Sequence, residues 1–178
     1  QNNSKSIALS VWNVTPKNTI GYEKAVEWNG LIGAFGFIVT FSIAFYLAKQ
    51  AKKHGAKMIH FVCLVLGAVS FLCFPMVENQ YVFFAVIIGY GIAWASMMGI
   101  PYLMVVAVIP KERYGVYMGI INMMIVIPMI IQNLSFGYIM KHFLNNDSRL
   151  AITFAGVLLA IAAVCTLLIK IKKVKISE

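Results

Sequence analysis

The residues able to do chemistry in this chain are neutral polar and aromatic groups set in long apolar runs. Tyr90 and Trp94 are four apart, the spacing that puts two side chains on one helix face. The stripe continues through Met97 and Met98 to Pro101. Asn122 and Asn133 are eleven residues apart, about 1100° of helix, which brings them within about 20° of eclipsed. Gln132 points about a quarter-turn away. Aromatic faces with amide donors and acceptors suit an uncharged polyol: the ring stacks and the amides bond hydroxyls. The alternative is that the two asparagines bond across helices as packing, and that Trp94 is a packing residue. His60 is the one ionisable candidate within the apolar runs, and its place beside a basic link predicts a headgroup level. No HExxH, Ser–His pairing or carboxylate pair occurs. Glu23, Glu27, Glu78, Glu112, Asp147 and Glu178 all fall in links or ends. Neither a metal site nor a cofactor is expected, and Cys63, Cys73 and Cys165 read as small packing residues.

These residues need helices to place them, and the charge pattern says where the helices lie. The chain has 178 residues, 61% of them hydrophobic and 12% charged, with mean hydropathy +0.82. Soluble domains are about 45–50% apolar and about 25% charged. Leu31–Ala48, Met58–Val77, Tyr81–Ile109, Tyr114–Met140 and Leu150–Ile169 contain no Asp, Glu, Lys or Arg. A charge at the centre of a spanning helix costs about 2.5–3.5 kcal/mol, which explains the exclusion. Each stretch reaches the 17–25 residues or so that cross a bilayer as helix, and none alternates as a barrel strand does. The reading is an all-α membrane protein with five transmembrane helices. A water-soluble fold is excluded, and with it the nucleic-acid partner that a net charge of +9 would otherwise suggest. Gln1 at the start and the long polar opening suggest a piece of something larger.

The links fix topology. Lys49, Lys52, Lys53, Lys57, Lys111, Arg113, Lys170, Lys172, Lys173 and Lys175 fall on one side, and Lys5, Lys17, Lys24, Lys141 and Arg149 on the other. Basic short loops stay in the cytoplasm, so the C-terminus is expected inside the cytoplasmic (inner) membrane, its basic tail against lipid headgroups. The links Glu78–Gln80 and Pro110–Arg113 are short enough to force antiparallel neighbours. Pro101 and Pro128 should break or bend the two longest spans. Gly30, Gly33 and Gly36, and the pair Gly115 and Gly119, predict close helix contacts. Three regions follow: 1–30, the end of a preceding helix plus an external loop; 31–169, the five helices; 170–178, the cytoplasmic tail.

The run Gly89-Tyr90-Gly91-Ile92-Ala93-Trp94-Ala95-Ser96, then Ile100-Pro101-Tyr102, then Ile109 through Asn122, then Ile125-Val126-Ile127-Pro128, resembles the C-terminal half of the sucrose/maltose–proton symporters. Weaker similarity, at Glu27–Gly30 and His54–Lys57, extends it over nearly the whole chain. These belong to the glycoside–pentoside–hexuronide type of the major facilitator superfamily. The resemblance implies a twelve-helix fold in two halves, with these spans as the eighth to twelfth and Ser4–Trp12 ending the seventh. It implies a secondary transporter, not an enzyme, that moves a sugar by symport with a proton, or with sodium instead. The N-terminal half of the same transporter would be the partner and would hold the coupling acids. Tyr90, Trp94, Asn122 and Asn133 would bind substrate, while Arg113 with Glu112 and the Gly115 turn would gate it. The sequence departs from the family where Gln50 and Ala51 replace an acid of the basic loop, and where Met129 follows Pro128 in place of Gln. A membrane-embedded enzyme or a scaffold subunit is the alternative reading.

Overall fold

The computed structural model describes residues 19–77, 79 and 81–169; the helix end expected at Ser4–Trp12 and the basic tail lie outside them. Five helices follow one another: α1 (Thr19–His54), α2 (Ala56–Cys73), α3 (Val82–Val106), α4 (Tyr114–His142) and α5 (Ser148–Leu168), with single 3-10 turns at Phe74–Met76 and Lys111–Arg113. All five are long and apolar enough to cross a membrane. Their outer surfaces carry exposed Phe37, Phe41, Phe45, Val65 and Ile161, the composition that lipid tolerates and water does not.

α1 is longer than its uncharged stretch. It begins at Thr19 and runs to His54, so residues 19–30, expected as loop, are helical. Absence of charge marks only the part suited to the hydrocarbon. Backbone hydrogen bonding continues beyond it, because Glu23, Lys24 and Glu27 at one end and Lys49, Lys52 and Lys53 at the other are tolerated where water solvates them. The helix stops where Gly55 takes φ 92°, a region that side-chain-bearing residues avoid. The Gly55 amide donates to Ala51 O at 3.1 Å, closing the last turn, and α2 starts at the next residue.

The short links do set antiparallel neighbours. α2 packs against α3 and α5, and α1 packs along α3. Small residues make the seams. A Cβ on Gly67 would lie 2.4 Å from the Ala93 Cβ, and one on Gly156 would meet Phe71 and Leu72 at 3.1 Å. Gly36 and Gly91 face each other across α1 and α3, where Thr40 Oγ1 donates to Gly36 O (2.9 Å) and Gly91 O (3.2 Å). Of the glycines expected at contacts, Gly30, Gly33, Gly115 and Gly119 have open space where a side chain would go. α4 explains the last two: it packs lightly, on α3 and its own leading turn.

The core joins α1, α2 and α3 through Leu47, Ala51, Cys63, Ala95 and Ile100. His60 is packed against α3. It is 8% exposed, and its Nδ1 lies 2.7 Å from the Ser96 Oγ of α3. The reason is helix length. Ser96 is ten residues from the end of α3 and His60 four from the start of α2, so α3 runs about 9 Å further and covers it. Beside it Lys57 reaches α5, donating to Leu167 O at 2.7 Å and Ile169 O at 2.8 Å. A cation on the last carbonyls satisfies orphan acceptors and opposes the helix dipole. At the other end of the bundle Trp28 sits edge-on to Tyr81, centroids 5.7 Å apart. The α4–α5 corner turns through Asn145 and Asn146 at positive φ, and Asp147 caps α5 by accepting from Arg149 N at 2.7 Å.

Candidate substrate-binding surface

Along α3, Gly91, Ala93, Ala95, Ser96 and Ile100 are buried. Tyr90 and Tyr102 are half-buried, and Trp94 and Met98 are exposed. Residues four apart form a continuous ridge inclined to the helix axis, so these four make one line about 18 Å long. Tyr90 and Trp94 stack with centroids 5.9 Å apart and planes 26° apart. Phe71 of α2 meets Tyr90 edge-on at 5.5 Å and 89°, which fixes the first ring of the ridge. Trp94 remains 37% and Met98 44% exposed, so the middle of the ridge presents an aromatic face and a thioether outward.

The ridge ends on α4. Tyr102 Oη donates to Asn122 Oδ1 at 2.5 Å, a direct polar tie between the two helices. Pro101 stands just before it inside the helix and removes the donor that would bond the Met97 carbonyl. The backbone therefore offers an acceptor beside Trp94 and Met98. The surface thus combines an indole face, an amide, a phenol and a carbonyl, with no charged group among them.

The structure stacks Tyr90 on Trp94 and ties Asn122 to Tyr102, further along the same row of α3. Asn133 is exposed on α4, about 16 Å along the helix from Asn122, and so stands apart from the ridge. Arg113 and Gly115 are exposed at the turn that leads into α4, at the same end of the bundle as Lys57. Tyr102 was not singled out from sequence as a binding residue. Its signal was present, because it continues the spacing of Tyr90, Trp94 and Met98; what was missing was the reach across to α4.

Two clefts lie nearby. One of about 1210 Å³ opens between α4 and α5 and is walled by apolar side chains with Gln132 and Ser135. Ser135 Oγ donates back to Ile131 O at 2.7 Å and keeps its lone pairs for accepting. The second, about 560 Å³, lies among α1, α2, α3 and α5, with Asn29, Ser70 and the Tyr90 ring on its wall. Among the described residues no group of three or more His, Cys, Asp or Glu gathers as a metal site would require.

A family model described as Major Facilitator Superfamily matches residues 7–177. No curated protein and no solved structure matches the chain.

Proposed function

The chain belongs to the Major Facilitator Superfamily, a superfamily of secondary transporters, and on that premise we propose that it carries half of the substrate path of a sugar transporter. The substrate is a disaccharide or glycoside, moved with a proton by alternating access. The observation that carries this reading is the uncharged ridge Tyr90–Trp94–Met98–Tyr102 ending on Asn122. An indole face stacks on the apolar face of a sugar ring, and neutral amides and phenols exchange hydrogen bonds with hydroxyls. An anionic or cationic substrate would call for an opposite charge that this surface lacks.

α4 supports a second half. Its surface is apolar and exposed, yet it carries Asn122, Gln132 and Asn133. Polar amides facing hydrocarbon are costly, so protein and an aqueous path account for this face better than lipid does. A partnering N-terminal half, rocking against this one, would close the path alternately at each end. Arg113, Glu112 and the Gly115 turn lie at the mouth on the basic side. The Lys and Arg bias of the links supports a cytoplasmic position for that side and for the C-terminus, in an inner membrane.

The test is uptake of radiolabelled maltose by the intact transporter in proteoliposomes under an imposed proton gradient, with a sodium gradient as the second arm. Uptake that a protonophore abolishes is the expected result. No uptake and no maltose counterflow under either gradient refutes the sugar reading. Uptake with sodium alone replaces the proton.

A further inference from the structure

We infer that Tyr102 is a positioning residue that turns the Asn122 amide into a hydrogen-bond donor toward substrate, so that the site selects a sugar oxygen able to accept. The inference rests on the sugar reading and sharpens it. An asparagine side chain has two faces, a carbonyl oxygen that accepts and an NH2 that donates twice. Left free on an exposed helix face, it would present either. Tyr102 Oη donates to Asn122 Oδ1. The phenol holds the carbonyl oxygen, and the NH2 is the group left over.

The surroundings support the assignment. Tyr102 is half-buried, packed at the end of a ridge whose other members are held in line by the Tyr90–Trp94 stack and Phe71. Asn122 is exposed on α4. The half-buried partner sets the orientation of the exposed one. Having spent its only proton on Asn122, the phenol offers lone pairs alone. The polar end of the ridge thus gives two donors from one amide at about 12 Å along α3 from the Trp94 indole, within the span of a disaccharide.

The experiment uses the intact transporter in proteoliposomes and maltose analogues in which one hydroxyl at a time is replaced by fluorine or by hydrogen. Fluorine accepts without donating; hydrogen does neither. In the wild type, one position should tolerate fluorine but not hydrogen, the deoxy analogue inhibiting labelled maltose uptake at least about tenfold more weakly than the fluoro analogue, as a site built around a donor requires. In Tyr102→Phe the ring remains and the amide is released, so that ratio should fall below about threefold. Asn122→Ala should abolish the distinction. A purely structural tie would lower maximal uptake or expression and leave the fluoro-to-deoxy ratio alone. The inference is overturned if Tyr102→Phe or Asn122→Ala keeps the wild-type ratio, or if no position in the wild type distinguishes the analogues.

A second arm needs no sugar. In protein labelled with side-chain 15N-asparagine, the Asn122 NH2 resonance is identified by its loss in Asn122→Ala and should shift in Tyr102→Phe. No shift overturns the positioning. A shift in protein that takes up no maltose overturns the sugar reading and the assignment of the donors to a sugar, which separates the two failures.

Discussion

Trp94→Ala tests whether the ridge meets substrate. The indole is 37% exposed. With about 250 Å² for a whole tryptophan side chain, about 90 Å² is open to a ligand, and at about 25 cal/mol per Å² its complete coverage contributes about 2 kcal/mol. Coverage of half, by one face of a sugar ring, contributes about 1 kcal/mol. The KM for uptake should therefore rise about five- to thirtyfold. The fold should change little. The stack on Tyr90 contributes about 0.5–1.5 kcal/mol, and alanine returns about 0.5 kcal/mol of helix propensity. Phe45 on α1 is a fair control: it is 71% exposed, and its ring contact is with Phe41 on the same helix. Initial rates of labelled maltose uptake by the intact transporter, normalised to folded protein, read both variants. The reasoning fails if Trp94→Ala keeps the wild-type KM, or if Phe45→Ala raises it equally.

Three further outcomes concern the scaffold. Gly55→Ala should lower stability by about 1–3 kcal/mol, because φ 92° is strained for alanine while no neighbour lies within 4 Å of the added carbon; a thermal unfolding midpoint equal to wild type would refute it. Gly67→Ala forces a carbon to 2.4 Å from Ala93 and should cost about 1–3 kcal/mol by overpacking. The swap Gly67→Ala with Ala93→Gly should recover most of that, and a swap no better than the single variant would show that the seam is not the cause. Lys57→Met removes the donor to Leu167 O and Ile169 O, at about 1 kcal/mol for the lost cap. Hydrogen exchange should quicken in the last turn of α5, and unchanged exchange there refutes the cap.

The helices were legible because lipid and charge are mutually exclusive: every uncharged stretch holds half or more of one helix. Their ends were not, since α1 keeps its hydrogen bonds well past the last residue that hydrocarbon would accept. Short links such as Pro110–Arg113 conveyed antiparallel order, but not which faces meet. Glycine spacing alone misjudged that. Gly67 and Gly156 lie in seams because α2 has neighbours on both sides, whereas Gly115 and Gly119 lie open on a helix with almost none. The site divides the same way. Tyr90 and Trp94 share a face by arithmetic within one helix, and they do stack. Tyr102 and Asn122 are twenty residues apart on different helices, and only the reversal of chain direction between α3 and α4 brings them together. The burial of His60 was not legible for a related reason, because it depends on the greater length of a neighbour. Periodicity reports what a helix presents, not what receives it. For α4, whose amides need a partner that hydrocarbon does not supply, that receiving surface is the next thing to identify. Disulfide trapping from cysteines placed at exposed Met123, Ile127 and Leu134 in the intact transporter would map it directly, and capture by the N-terminal half is the result that the two-half reading requires.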